Sequence, residues 1–125
     1  MADFRLLVAG MVHDHLWGML PQFRKIPGAR IVGGADPNRP LRDKLKKEYG
    51  VTALYADFRE MFRKVKADGV MVCGSNAGSV PIVEAAAAAG LDIMVEKPMA
   101  HTADGARRML RAAKKHGVRL MINWP

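Results

Sequence analysis

Leu91-Asp92-Ile93-Met94-Val95-Glu96-Lys97-Pro98 decides the reading of this chain. The apolar run at its start reads as a strand buried between two helical layers, where strands are close to continuously hydrophobic. A charged pair followed by proline at the end of such a run is locally costly unless something uses it. A lysine at the carboxyl end of a parallel strand emerges where open α/β sheets bind their ligands. Pro98 ends the strand and holds Lys97 to extended conformations. In isolation the same residues also read as a charged surface turn, so the flanking pattern has to decide.

That pattern alternates strand and helix throughout. Strands are expected at residues 4–9, 29–35, 53–55, 69–73, 91–95 and 118–122. Helices are expected at 15–26, at 41–49 with Gly50 as the stop, from an Asp57 cap to about 65, from Ser79 to before Gly90, and from a Thr102 cap to 116. Strands alternating with helices imply a parallel sheet with right-handed crossovers. Six strands in this alternation suit an α/β, doubly wound, Rossmann-like sheet in the order 3-2-1-4-5-6. The small side chains of Ala85 to Ala89 let a helix lie close on that sheet. No repeat, linker or low-complexity segment interrupts residues 1–125, which read as one domain.

Composition narrows the function class. Half the 125 residues are hydrophobic and 26% are charged, an ordinary globular balance. The single cysteine, Cys73, excludes an intrachain disulfide and suits a reducing compartment. The start, Met1-Ala2-Asp3-Phe4-Arg5, carries no signal-peptide pattern, so a cytoplasmic location is expected. No apolar stretch reaches the roughly 20 residues of a membrane span. The net charge of +8 lies largely in pairs such as Lys46-Lys47 and Lys114-Lys115 on expected helix faces. Aromatics make up only 6% and do not interleave with those pairs, so no nucleic-acid partner is expected. The excess charge fits attraction of an anionic cofactor or substrate.

The first strand-to-helix turn is Gly10-Met11-Val12-His13-Asp14-His15. A dinucleotide site places G-x-G-x-x-G here, so that the backbone approaches the pyrophosphate closely. Only Gly10 survives. Val12 stands at the second glycine position and His15 at the third, so Val12 pushes a pyrophosphate outward and weakens the motif. Backbone amides of Gly10, Met11, Val12 and His13 can still face phosphate at a helix start. The His13-x-His15 pair reads either as polar residues opening a helix or as cofactor- or substrate-facing groups. A bound metal is not expected, because no third donor stands at useful spacing.

Asp36 ends the second strand, 21 residues beyond His15, near the spacing of the acid that accepts a hydrogen bond from an adenosine ribose. Asp36-Pro37-Asn38 is equally good turn sequence. Asp36 argues for NAD, whereas nearby Arg39 could meet a 2′-phosphate and leaves NADP open. After the fourth strand, Ser75 and Asn76 would line the cofactor cleft, with Ser79 capping the next helix. Asn123 ends the last strand at the same sheet edge, followed by Trp124 as a cover or packing residue.

Taken together, Ala88-Ala89-Gly90 through Glu96-Lys97-Pro98-Met99-Ala100 resembles the Glu-Lys-Pro segment of the Gfo/Idh/MocA oxidoreductases, and Cys73 to Asn76 is similar to that family's Thr-Pro-Asn segment. The resemblance covers the whole chain. It implies an NAD(P)-binding domain and hydride transfer to or from a sugar, polyol or related hydroxyl or carbonyl substrate. It places Glu96, Lys97 and Pro98 beside the cofactor, makes Lys97 the catalytic or positioning lysine, and allows a cis Lys97–Pro98 bond. The family's second domain, which supplies most of the substrate pocket and usually the oligomer interface, is expected to lie outside these residues. The chain alone would then bind a dinucleotide with little turnover. A non-catalytic binding or sensor module is the alternative, favoured by the degraded glycine turn and disfavoured by Lys97 and Asp36.

Overall fold

Six strands, β1 (Phe4–Ala9), β2 (Ala29–Ala35), β3 (Leu54–Tyr55), β4 (Gly69–Val72), β5 (Asp92–Glu96) and β6 (Leu120–Asn123), form one sheet in the order β3-β2-β1-β4-β5-β6. Every neighbouring pair is parallel. The computed structural model describes residues 3–75 and 78–123. Five helices connect the strands: α1 (Asp14–Arg24), α2 (Arg39–Tyr49), α3 (Phe58–Lys64), α4 (Ser79–Ala88) and α5 (Ala103–His116). Among the described residues no helix is long and apolar enough to cross a membrane.

Side-chain alternation along the strands splits the core into two layers. Leu6, Val8, Met71 and Cys73 face Leu16 and Leu20 of α1 and Leu45 of α2. Their neighbours Leu7, Ala9, Val70, Val72, Ile93 and Val95 face Met61 of α3, Val83, Ala86 and Ala87 of α4, and Met109 of α5. Both faces of the central strands are therefore covered, which explains their nearly unbroken apolar sequence. The chain reverses direction across the sheet between β1 and β4, and all five carboxyl-terminal turns that precede a helix lie on one edge.

The helix boundaries differ from the sequence expectation for local reasons. His13 caps α1, its Nδ1 accepting the His15 N–H at 3.2 Å, so the helix begins at Asp14 rather than His15. α2 begins at Arg39, two residues before the expected start, because proline at Pro40 suits a first turn. Ser79 is the first residue of α4 and not its cap; Gly78 is the cap, and the Ser79 hydroxyl donates to the Ser75 carbonyl at 3.0 Å. α1 ends at Arg24, and β6 occupies 120–123 instead of 118–122.

Two glycines in β2 make room on opposite faces of the sheet, Gly33 toward Leu7 and Met61 in the α3 layer and Gly34 toward Leu45 in the α2 layer. A Cβ built on Gly33 would lie 2.9 Å from Leu7 Cδ2, and one on Gly34 would run into Leu45 Cδ2. Leu45, fully buried, thus fills the space that a side chain on Gly34 would take. Leu45→Ala is expected to cost about 2–5 kcal/mol in urea unfolding, since a hollow over a glycine cannot easily collapse. Adding Gly34→Ala to that variant should recover part of the loss. A double-mutant cycle with no coupling between the two positions would contradict this packing.

Candidate functional site

The β1–α1 turn is built around one residue that must be glycine. Gly10 has φ +82°, and a Cβ there would lie 2.5 Å from the Gly74 backbone nitrogen and 2.6 Å from Gly74 Cα. The turns after β1 and β4 therefore touch backbone to backbone. That contact requires Gly10 twice over, through its left-handed conformation and through space. The other lost glycines make no such demand, since Val12 is half exposed.

Most of the turn's amides are committed within the chain. Gly10 N–H donates to the Ala35 carbonyl at 2.8 Å, Met11 N–H to Asp36 Oδ2 at 2.7 Å, and His13 N–H to the Cys73 carbonyl at 3.1 Å. The Met11 side chain is fully buried in the α1–α2 core layer. Met11 thus anchors the turn, and neither its amide nor its side chain faces a ligand as the sequence reading expects. Asp36 is 3% exposed. Its Oδ1 accepts from the Asn38 N–H at 2.8 Å and the Asn38 side-chain amide at 2.7 Å. That engagement explains why Asn38, although it stands at the α2 cap, makes no capping bond. Oδ2 holds a single donor, Met11, and a carboxylate oxygen can accept two.

Gly10, Val12, Asp36 and Ser75 converge on one cavity of about 450 Å³ at this edge. Phe58, Pro81 and Ile82 give it an apolar wall, and Arg59 stands at its rim. A mostly apolar cleft with a few fixed polar groups is the usual form of a small-molecule site. Arg39 is not on its wall. Its guanidinium lies 3.9 Å from Asp43 along α2 and is largely exposed, because α2 starts at Arg39 and turns that side chain along the helix. Arg42 is the arginine that reaches this turn, donating to the Asp36 and Pro37 carbonyls at 2.8 and 3.1 Å. Asn76 and Trp124 lie outside the described residues.

At the end of β5, Lys97 is half-buried and its bond to Pro98 is cis. The Glu96 side chain is buried at the sheet edge, only 2% exposed. Its Oε1 lies 2.6 Å from His15 Nδ1, and its Oε2 accepts from the Asn123 side-chain amide at 2.9 Å. Glu96 and Asn123 are register partners on neighbouring strands, so the bond follows directly from the pairing. Burial pushes the Glu96 carboxyl up, but the Asn123 amide and the His15 ring outweigh it, and the group sits below its ordinary range. Burial, with Glu96 adding its charge, pushes the Cys73 thiol up to about 12, so this cysteine is inert at neutral pH.

The His15–Glu96–Asn123 chain is invisible to spacing, because it joins residues 81 and 27 positions apart. The sequence points Glu96, His13 and Asn123 to cofactor contact and offers no third donor near the histidines. The fold instead turns Glu96 and Asn123 toward α1 and supplies Glu96 as that third donor. Arg59 and Phe58 also line the cavity, which the sequence alone does not signal directly. The signal available for them was the Asp57 cap, which puts the first turn of α3 beside the end of β2.

Comparison with known proteins agrees with this fold. Residues 9–124 match the profile of an oxidoreductase family with an NAD-binding Rossmann fold, Gfo/Idh/MocA. The chain is 36% identical over 98 residues to inositol 2-dehydrogenase/D-chiro-inositol 3-dehydrogenase of Shouchella clausii, covering 78% of this chain and 28% of that protein. It is 38% identical over 95 residues to inositol 2-dehydrogenase of Agrobacterium fabrum, covering 75% of this chain and 28% of that one. The chain therefore spans under a third of the length of these relatives. An oxidoreductase of Agrobacterium radiobacter, solved with NAD+, L-tartaric acid and magnesium, superposes with a TM-score of 0.91 over 98% of this chain and 35% of that one; at 20% identity it shows the shared fold.

Gly10→Ala should force the β1 and β4 turns apart. We expect a loss of stability of about 1–3 kcal/mol, in the range of overpacking and strained backbone. Unfolding at an unchanged denaturant midpoint would show that the Gly10–Gly74 contact does not constrain the edge.

Proposed function

This chain belongs to the Gfo/Idh/MocA oxidoreductase family, with its NAD-binding Rossmann fold, and we propose that it holds NAD for hydride exchange with a polyol or sugar. The observation that carries the reading is Asp36, a buried carboxylate on the wall of the cavity with accepting capacity left on Oδ2. A ribose hydroxyl donating to that oxygen would direct the adenine toward the apolar wall of Phe58, Pro81 and Ile82. A 2′-phosphate would meet the same carboxylate as a like charge. Arg39 is paired along α2, and Arg59 lies 3.9 Å from Asp57, so neither is a dedicated phosphate partner. These contacts favour NAD over NADP.

The pyrophosphate would meet the start of α1, where the helix dipole and end amides favour an anion. Val12 and Asp14 are the residues whose amides are left for it, since those of Gly10, Met11 and His13 are committed. Asp14 opposes the anion with a carboxylate in the first helical turn. Lys97, at the end of β5, would meet the substrate oxygen, orienting it and holding or yielding the proton there. Bound nicotinamide supplies the hydride chemistry; the chain supplies position and charge. The substrate class follows the inositol dehydrogenases among the relatives. The committed amides and Asp14 also suit a second reading, a weak dinucleotide sensor without catalysis, in which Lys97 has no chemical role.

Titration followed by NADH fluorescence should saturate, with NADH bound at least about tenfold more tightly than NADPH, a difference of about 1.4 kcal/mol. Asp14→Asn should tighten NADH binding by about twofold to fivefold, the size of a first-turn charge effect. No saturable binding at millimolar NADH would overturn the proposal. In a protein carrying the remaining length of the relatives, Lys97→Ala should lower kcat by about 10²–10⁴, the usual share of a positioned acid–base group, with NADH affinity kept. Unchanged kcat would favour the sensor reading.

A further inference from the structure

We propose that His13, His15 and Glu96 form a binding site for a divalent transition metal of the zinc class. One donor atom from each lies within 4.8 Å of the other two. The two imidazole rings stand 4.6 Å apart, centre to centre. Two imidazoles and one carboxylate are a donor set that favours zinc and its neighbours over magnesium or calcium, and three protein ligands leave a position open for water or a substrate oxygen.

The site has features that an accidental cluster lacks. Glu96 is the buried member, and Asn123 holds its Oε2 at 2.9 Å, which leaves Oε1 aimed at His15. Ligands of working metal sites are oriented by such outer partners. His15 is the accessible member, with a side chain 43% exposed, and provides the entry path. The framework is fixed on three sides: His13 by the hydrogen bond its N–H donates to the Cys73 carbonyl, His15 by the first turn of α1, and Glu96 by the β5–β6 register.

Metal–ligand bonds of about 2.0–2.1 Å in a tetrahedron place donors about 3.3 Å apart. The His15–Glu96 pair, at 2.6 Å, must therefore open slightly and release its shared proton, while His13 closes in. His13 must also give up its capping bond to the His15 amide, because a neutral imidazole that ligates through one nitrogen carries its proton on the other. The inference is independent of dinucleotide binding, and zinc alone tests it.

The test is calorimetric titration of Zn²⁺ into the metal-stripped chain, with visible absorption of the Co²⁺ form as a geometric probe. We expect one ion per chain, a tetrahedral cobalt spectrum, and no competition from Mg²⁺. His13→Asn and Glu96→Gln should each weaken zinc binding at least about a hundredfold, and Asn123→Ala by about tenfold to a hundredfold. His101→Ala and His116→Ala should leave it unchanged. His13→Asn carries the test if Glu96→Gln fails to fold, because asparagine restores the helix cap without an imidazole. Failure of the wild-type chain to bind zinc, or binding of equal strength in His13→Asn, would overturn the site.

Discussion

The buried carboxylate of Asp36 is the interaction on which the functional edge depends. It ties the turn after β1 to the turn after β2, through the Met11 amide on one oxygen and Asn38 on the other. A hydrogen bond to a charged acceptor is worth roughly 1.5–3 kcal/mol, about twice a neutral one, and leaving such a carboxylate unpaired would cost more. The turn can therefore keep its shape with one glycine where three are usual. Gly10 meets the only demand that hydrogen bonding cannot, the backbone contact with Gly74.

From this constraint the two ends of the edge take different characters. On the β2 side the carboxylate, an apolar wall and a rim arginine surround an open cavity. Toward β6 the polar groups turn inward and satisfy one another: His15 with Glu96, and Glu96 with Asn123. Lys97 stands between them at the end of β5, its backbone set by the following proline. Some of the basic side chains pair with acids on exposed surface away from the edge, such as Arg108 with Glu84 and Arg119 with Asp92. Such exposed pairs add little stability.

Much of this architecture is legible in the sequence. Apolar runs such as 69–73 and 91–95 carry the burial of both sheet faces, and alternation with helices implies a parallel sheet with right-handed crossovers. The position of Asp36 and the conformational demand on Gly10 follow from local pattern. What spacing cannot show depends on register and approach between distant segments. Glu96 reads as cofactor-facing beside Lys97, yet its carboxylate is engaged by His15 and Asn123, and only the β5–β6 pairing reveals Asn123 as the partner. Arg39 reads as a phosphate ligand until the helix is seen to begin there. His13 and His15 lack a third donor until a residue 81 positions away is folded against them.

The central claim is that a dinucleotide occupies the cavity framed by Gly10, Asp36 and Ser75. Amide resonances of the isotopically labelled chain, followed through an NAD titration, test it most directly. The account predicts saturable shifts concentrated at Val12, Asp14, Asp36, Ser75 and Arg59, with the α4–α5 surface around Arg111 unmoved. Shifts that fail to saturate, or that cluster on the basic faces of α2 and α5 instead, would contradict it.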